Sequence, residues 1–365
     1  MYIALAIILL FVISIYLFFK QPKFGKRPTG ARLERIKKAT NYKNGAFQNQ
    51  SITPDLTDGA TYFSVLKEMF FEKKERLKPS DLIPSTKTDL LNLDITEDVL
   101  VWFGHSSYFM QIDGKRILVD PVFGGHASPF SFSVKAFDGA NNYSAADMPD
   151  IDYLFISHDH WDHLDYDTIK KLKPKIKHVI CGLGTGEHLE YWGYDPKIII
   201  EKNWYENVDF ENGFTVHAIP TRHFSGRTFK RNQAIWAAFV LQTPTMRIFI
   251  GGDGGYDKHF AKVGKTFGGF DLVILENGQY NKNWKHIHFM PGEIIQAAKD
   301  LNAKKLIAVH NSKFAISNHA WDEPMINVAA ACKAENIDLL TPKIGERVNL
   351  KEQNQVFAEW WKNVN

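Results

Sequence analysis

Between Ser157 and Leu164 the chain reads Ser-His-Asp-His-Trp-Asp-His-Leu. His158, Asp159, His160, Asp162 and His163 fall inside that one stretch, and nothing else in the chain is so dense in metal-type ligands. Imidazole and carboxylate together suit zinc or a similar divalent ion. A single histidine in a loop is usually structural or simply exposed. Three in so short a span, interleaved with acids, point instead to a metal site.

The elements around the stretch must aim these side chains. Tyr153-Leu154-Phe155-Ile156 precedes it and reads as a buried strand. The ligands therefore leave a strand end and enter a loop. A loop can turn several side chains to one point, whereas a strand would splay alternate residues to opposite faces. The same pattern recurs later. A strand over Phe214–Pro220 is followed by His223, and one over Arg247–Ile250 by Asp253 within Gly251-Gly252-Asp253-Gly254-Gly255. A strand over Leu306–Val309 is followed directly by His310. Each position alone has a plain reading, His310 as a core histidine and Asp253 as a turn aspartate. Their common placement at strand C-termini favours one shared site, because such ends lie along one edge of a sheet.

Further strands are expected at Val99–Phe103, at Tyr108–Ile112 and Arg116–Val119 flanking the Asp113-Gly114 turn, and at His178–Cys181. Helices are expected near Asp167–Leu172, Pro291–Leu301 and Glu323–Glu335, with an amphipathic piece over Tyr62–Lys74. The turn Gly182-Leu183-Gly184-Thr185-Gly186 opens a helix to Trp192. It could cradle phosphate, but it lacks the Lys-Ser/Thr of a P-loop and the spacing of a dinucleotide fingerprint, so a tight strand-to-helix turn is the stronger reading. No internal repeat is evident.

The chain has 365 residues, a net charge of +3 and two cysteines, Cys181 and Cys332. That length supports a sizeable core, the charge gives no argument for nucleic acid, and two cysteines cannot build a disulfide framework. Tyr2–Phe19 is almost wholly apolar, near the minimum length for a membrane-spanning helix. It lacks the basic start and small-residue cleavage site of a secretory signal, so a retained anchor is expected. Lys20, Lys23, Lys26 and Arg27 follow at once, which places the body on the cytoplasmic side and could rest on anionic head groups.

The motif His158-Asp159-His160-Trp161-Asp162-His163, followed in order by His223, Asp253 and His310, resembles that of the metallo-β-lactamase-fold hydrolases. The resemblance covers about Val99 to Pro342. It implies an α/β fold, the αβ/βα sandwich of two mixed sheets flanked by helices. It also implies two zinc ions per chain, one held by His158, His160 and His223 and one by Asp162, His163 and His310, with Asp253 bridging. Manganese or iron would use the same ligands. Asp159, lying between ligands, is expected to orient a histidine or shuttle a proton.

Within that superfamily the chain is most similar to the N-acyl-phosphatidylethanolamine-hydrolysing phospholipase D group. The residues that carry this are Gly104-His105-Ser106-Ser107, Leu118-Val119-Asp120-Pro121, His223-Phe224-Ser225-Gly226-Arg227-Thr228, Trp236, Gly252-Asp253-Gly254-Gly255-Tyr256, Phe270-Asp271-Leu272 and His288-Phe289-Met290-Pro291. The similarity implies cleavage of a phosphodiester in an N-acyl-phosphatidylethanolamine-type phospholipid through a metal-bridging hydroxide. It gives catalytic roles to Asp162, Asp253 and His288, and substrate contacts to Arg227 and His288. His288 reads equally as a surface histidine near a helix start. Arg222, Arg227, Lys230 and Arg231 could hold a phosphate or form a solvated basic loop. A lactonase or another hydrolase of a small phosphorylated ester is the alternative enzyme, and a non-catalytic membrane-bound metal-binding scaffold the alternative of another kind. The expected division is an anchor at 1–20, a basic linker and wrapping arm at 21–96, the catalytic domain at 97–350 and a C-terminal tail at 351–365.

Overall fold

The structure, a computed structural model, describes residues 2–57, 59–72 and 74–365. Met1 of the expected anchor and Lys73 of the expected helix over Tyr62–Lys74 lie outside the described residues. Two seven-stranded mixed sheets face each other. The first contains β3 (Val99–Trp102), β4 (Tyr108–Ile112), β5 (Lys115–Val119), β6 (Ile151–Ile156), β7 (Ile176–Gly182) and β8 (Ile199–Lys202). They follow a two-residue hairpin, β1 (Tyr42–Lys43) with β2 (Ala46–Phe47). The second sheet contains β9 (Asn207–Asp209), β10 (Thr215–Ile219), β11 (Ala238–Gln242), β12 (Arg247–Ile250), β13 (Leu272–Glu276), β14 (Lys305–Val309) and β15 (Asp338–Leu340). The chain then returns to the edge of the first sheet as β16 (Arg347–Asn349), beside β3.

The two halves repeat one pairing scheme. β3, β4 and β5 pair antiparallel, and β5 to β8 continue in parallel. β10, β11 and β12 pair antiparallel, and β12 to β15 continue in parallel. No sequence repeat announces this, because a strand needs only apolar residues on its buried faces. In both halves the parallel strands end at the same edge, and there the candidate ligands emerge.

Alternation along β3 shows why the first sheet is apolar on both faces. Leu100 and Trp102 join the core between the sheets, while Val99 and Val101 join a second cluster with Leu154, Ile169 and Leu189. That second cluster lies under α4 (Tyr166–Leu172) and α5 (Gly186–Tyr191). Strands covered on both faces, whether parallel like β13 or antiparallel like β11, read as continuous apolar runs. This explains why β11 (Ala-Phe-Val-Leu-Gln) and β13 (Leu-Val-Ile-Leu-Glu) escape a reading based on alternation. On the outer side of the second sheet run α6 (His259–Phe267), α7 (Glu293–Asp300) and α8 (Glu323–Glu335), each contributing buried residues to the main core.

The N-terminal third holds α1 (Tyr2–Phe19), α2 (Gly30–Lys37) and α3 (Tyr62–Phe71). Among the described residues α1 is the one helix long and apolar enough to cross a membrane, and none of it is buried against the body. From α2, Arg32 pairs with Glu187 (2.7 Å), Glu201 (2.7 Å) and Glu190. Glu201 also accepts hydrogen bonds from the amides of Gly184 (2.8 Å) and Gly186 (3.0 Å). The Gly-rich turn therefore has an internal carboxylate where a phosphate would sit. Its tightness comes from packing, since a Cβ on Gly182 would lie 2.2 Å from the Ile235 carbonyl oxygen. At the far end of the chain Trp360, Trp361 and Val364 are buried in the main core.

Candidate metal centre

The five stretches that leave the edge of the two sheets meet over the core. Loop 157–164 follows β6, His223 follows β10, Asp253 follows β12 and His310 follows β14. Asp120 follows β5 in the place that Asp253 takes after β12. Left-handed backbone collects here, at His105 (φ 52°), Asp120 (φ 40°), Gln279 (φ 58°), His310 (φ 66°) and Ser312 (φ 62°). Non-glycine residues adopt that region at a cost and cluster where a side chain must be aimed.

Two groups of ligand atoms lie on either side of Asp253. In the first, His160 Nδ1 is 2.9 Å from His158 Nε2 and 3.2 Å from His223 Nε2. His158, His160 and His223 offer atoms all within 4.8 Å of one another. In the second, His105, Asp162, His163 and His310 do the same. Between them Asp253 Oδ2 lies 3.1 Å from His163 Nε2, 3.8 Å from His223 Nε2 and 3.9 Å from His158 Nε2, while its Oδ1 lies 3.2 Å from His310 Nδ1. All are buried but His160, which is partly exposed at the floor of a cavity.

The outer hydrogen bonds fix which imidazole nitrogen carries a proton. His223 Nδ1 is 2.8 Å from the Ile287 carbonyl oxygen, which can only accept, so Nδ1 donates and Nε2 presents a lone pair. His163 Nδ1 likewise donates to Asp120 Oδ2 at 2.8 Å. Ser157 Oγ donates to Asp120 Oδ2 at 2.5 Å and is left to accept from His158 Nδ1 at 3.0 Å. Three Nε2 atoms thus point into the cluster, those of His158 and His223 as lone pairs and that of His163 toward Asp253 Oδ2 at 3.1 Å, the arrangement by which outer partners prepare histidines for a cation. Asp253 Oδ1 and His160 Nε2 are buried without a hydrogen-bond partner among the described residues. The donor set fits divalent ions of the zinc type.

Electrostatics agree. Burial, then the neighbouring imidazoles, holds His158, His223 and His310 well below the usual histidine range. Burial holds His160 at about 4. These rings stay neutral near pH 7, the form that binds metal. His163 runs the other way. Burial opposes its charge, but Asp253, Asp162 and Asp120 hold it well above its ordinary value. A cation between those carboxylates would take the place of that proton.

Sequence reasoning passed over several supports. His105 Nε2 donates to Asp162 Oδ2 at 2.9 Å. Ser106 Oγ is 3.0 Å from His310 Nδ1. Glu276, at the end of β13, holds His288 Nδ1 at 3.1 Å and accepts from the amide of Gly254 at 3.0 Å. Asn49, from the N-terminal arm, brackets the His223 main chain with bonds of 2.7 and 3.1 Å. His105, Ser106 and Asp120 stood in quoted motifs, but no sequence signal ties Asn49 to His223 across so long a separation.

His288 lines a cavity of about 270 Å³ together with His160, His223, Asp253 and His310. Asp159 accepts from the Gly226 amide at 2.6 Å and lies 3.2 Å from His188 Nε2, which pins the loop after His223. Arg227 is buried outside that cavity. Its guanidinium donates to the carbonyls of Lys23, Asp159 and Leu164 and stacks on Trp161 at 3.9 Å. Arg222 donates to Thr53 and to the Ile52 carbonyl. Of the basic cluster it is Arg231 that borders the metal-facing cavity, paired with Asp55 at 3.1 Å and stacked on Phe224 at 3.7 Å.

Lys313, just after His310, is fully buried and donates to the carbonyls of Phe103 and Val122. Burial lowers its pKa to about 7. Between pH 7 and the unfolded value of 10.5 the unfolded chain binds more protons here, so stability rises with pH across that window. Lys313→Met is expected to remove a slope of up to about 1.4 kcal/mol per pH unit. Urea midpoints at pH 7.5 and 9.5 measure it; equal pH dependence in both proteins would refute the neutral lysine.

The β-lactamase superfamily domain matches residues 115–311, more than half of the chain. An uncharacterised protein of Mycobacterium tuberculosis (strain ATCC 25618 / H37Rv) is 32% identical over 326 residues, covering 88% of this chain and 87% of its own. The N-acyl-phosphatidylethanolamine-hydrolysing phospholipase D 1 of Caenorhabditis elegans is 31% identical over 222 residues, covering 57% of this chain and 62% of its own. Among solved structures, a metallo hydrolase from the archaeon Ignicoccus hospitalis superposes with a TM-score of 0.52 at 18% identity, over 69% of this chain and 98% of its own. That last likeness speaks for the fold alone. With its paired mixed sheets, its histidine and aspartate cluster at their shared edge and a domain match spanning most of both, this chain belongs to the β-lactamase superfamily and is a metallohydrolase of that fold.

Proposed function

We propose that the chain is a dinuclear metal-dependent hydrolase that cleaves a phosphodiester of a membrane phospholipid of the N-acyl-phosphatidylethanolamine type. The observation that carries the metal reading is the inward set of three Nε2 atoms, oriented by Ile287, Asp120 and Ser157, around a buried carboxylate. His158, His160 and His223 would hold one ion, Asp162, His163 and His310 the other, and Asp253 both. When bound, such a pair supplies a nucleophile at neutral pH and neutralises charge on phosphoryl oxygens.

The remaining work falls to the chain's own residues. Asp120, Ser157 and the Ile287 carbonyl keep His163, His158 and His223 in the ligating tautomer. Glu276 holds Nδ1 of His288, whose ring lies over the cavity between His223 and His310, with centroids 5.1 Å from each. From there His288 can move a proton to or from the departing oxygen. Arg231 stands at the rim with its Nε buried and unpaired among the described residues, a donor suited to a phosphoryl oxygen. The phospholipid substrate is supported by the Caenorhabditis elegans relative and by α1, whose end packs beside the site through Phe24 and Trp161 (5.3 Å).

Full-length protein in detergent–lipid micelles should release phosphatidic acid from N-acyl-phosphatidylethanolamine. A chelator should stop this and zinc or manganese restore it. No metal-dependent product would refute the phospholipid reading. The cavity of about 270 Å³ also suits a small phosphorylated ester. Turnover of soluble esters without turnover of phospholipid would establish that second reading, and absence of metal from the purified protein would undercut both and leave a scaffold.

A further inference from the structure

Helix α3 leaves most of its large apolar side chains in solvent. Its acidic residue Glu68 turns toward the body and accepts from Asn283 and Asn318, at 2.8 Å each. Tyr62, Leu66 and Met69 form a stripe at helical spacing, with Phe63 on its flank and Phe71 at the helix end. All five stand in solvent, at 62%, 50%, 52%, 78% and 83% exposure. A Thr61–Ser64 capping box starts the helix, so its first turn is held by its own end. A helix that leaves so many large apolar side chains in solvent needs an apolar partner.

Its surroundings identify that partner. Loop 224–231 is flanked by α1 on one side and α3 on the other. Phe229 lies 5.0 Å from Phe19 at the end of α1. Two residues on, Arg231 pairs with Asp55, whose carboxylate accepts from the Tyr62 hydroxyl at 2.9 Å. Tyr62 itself lines the metal-facing cavity. Phe229 (87% exposed) and Phe132 (75%) continue the apolar surface around the end of α1, where Phe130 stacks on Phe18 at 4.9 Å. Lys20, Lys26, Arg27 and Lys230 line an adjoining cavity of about 530 Å³ beside Phe19. Exposed aromatics next to cations are the composition of a membrane interface.

We infer that α3 is an interfacial helix lying in the boundary between head groups and acyl chains of a phospholipid bilayer, and that with α1 it holds the mouth of the metal cavity against the lipid surface. α1 alone would tether the body and leave it free to tumble. The second contact fixes its orientation, so a substrate could enter from the bilayer plane. The inference rests on α1 being a membrane helix, not on the identity of the substrate.

Cys181 and Cys332 are both buried, so a cysteine placed at Leu66 would be the reactive thiol. Full-length Leu66→Cys, labelled with an environment-sensitive fluorophore, is reconstituted in vesicles of phosphatidylcholine and phosphatidylglycerol. The label should shift to the blue and be quenched at least about twofold more by lipids spin-labelled just below the head group than a label at Val356→Cys, given a depth of 5–10 Å for such helices. Val356 is 94% exposed and lies near Glu352, which meets Lys305 at the start of β14, the end opposite His310. Phe63→Cys should report the same. Equal quenching at positions 66 and 356 would overturn the inference. So would a label shielded from aqueous iodide but untouched by lipid quenchers, since that outcome marks a protein partner. Neither readout depends on turnover, so failure here is separable from failure of the proposed activity.

Discussion

Asp253→Asn should reduce turnover by about 10³-fold or more while the chain stays folded, the range expected when charge stabilisation by metal and ligand is lost. Among the described residues Asp253 is the one carboxylate within reach of both ligand groups, near His163, His223, His158 and His310. Asparagine keeps its volume and removes its charge. Burial already works against that charge and raises the Asp253 pKa, with nearby Glu276 adding to the effect. The metal-free variant should therefore unfold at the same temperature as the parent or higher. Metal content should fall from about two ions per chain, because both groups lose their shared anion. Calorimetry and metal analysis on the same preparation separate this from misfolding. Retained turnover with full metal content would end the bridging assignment.

His160→Ala should also lower turnover by on the order of 10³-fold, but with a different metal signature. His160 meets His158 and His223 in the first group only. One ion should be lost and the other kept, held by Asp162, His163 and His310. The fold should survive, because the ring is partly exposed at the cavity floor and a smaller residue there opens the cavity to water. Loss of both ions would mean that the two groups do not fill independently. Loss of neither would show that His160 is no ligand.

The legible part of this protein was its edge chemistry. His158, His160, Asp162, His163, His223, Asp253 and His310 could be named because each follows a short apolar run, and such runs must be strands with their ends in register. The structure brings these seven together. The fold class was legible through the same residues, since their ordered motif resembles that of the metallo-β-lactamase-fold hydrolases. Strands covered on both faces, such as β13, were not, because a fully apolar run of five residues carries no period. Neither were β9, β15 and β16, three-residue elements at or beside sheet edges whose pairing partners define them.

The same division runs through the site. Which residues are candidate ligands is local, a matter of residue type and spacing, and it was contained in the order of the amino acids. Which nitrogen of each histidine faces inward is not local. It depends on Asp120 reaching His163 from β5, on Ile287 meeting His223 and on Ser157 bridging two rings. Basic residues divided in the same way. Arg227 and Arg231 look alike in sequence, yet main-chain carbonyls engage the first and the second borders the cavity. The exposure of α3's apolar side chains is also a tertiary fact, because their spacing would serve a core helix equally well. Composition and spacing determined what chemistry the chain could perform. Long-range hydrogen bonds and burial decided which atoms are presented for it, because the energy that orients a side chain comes from partners far away in sequence.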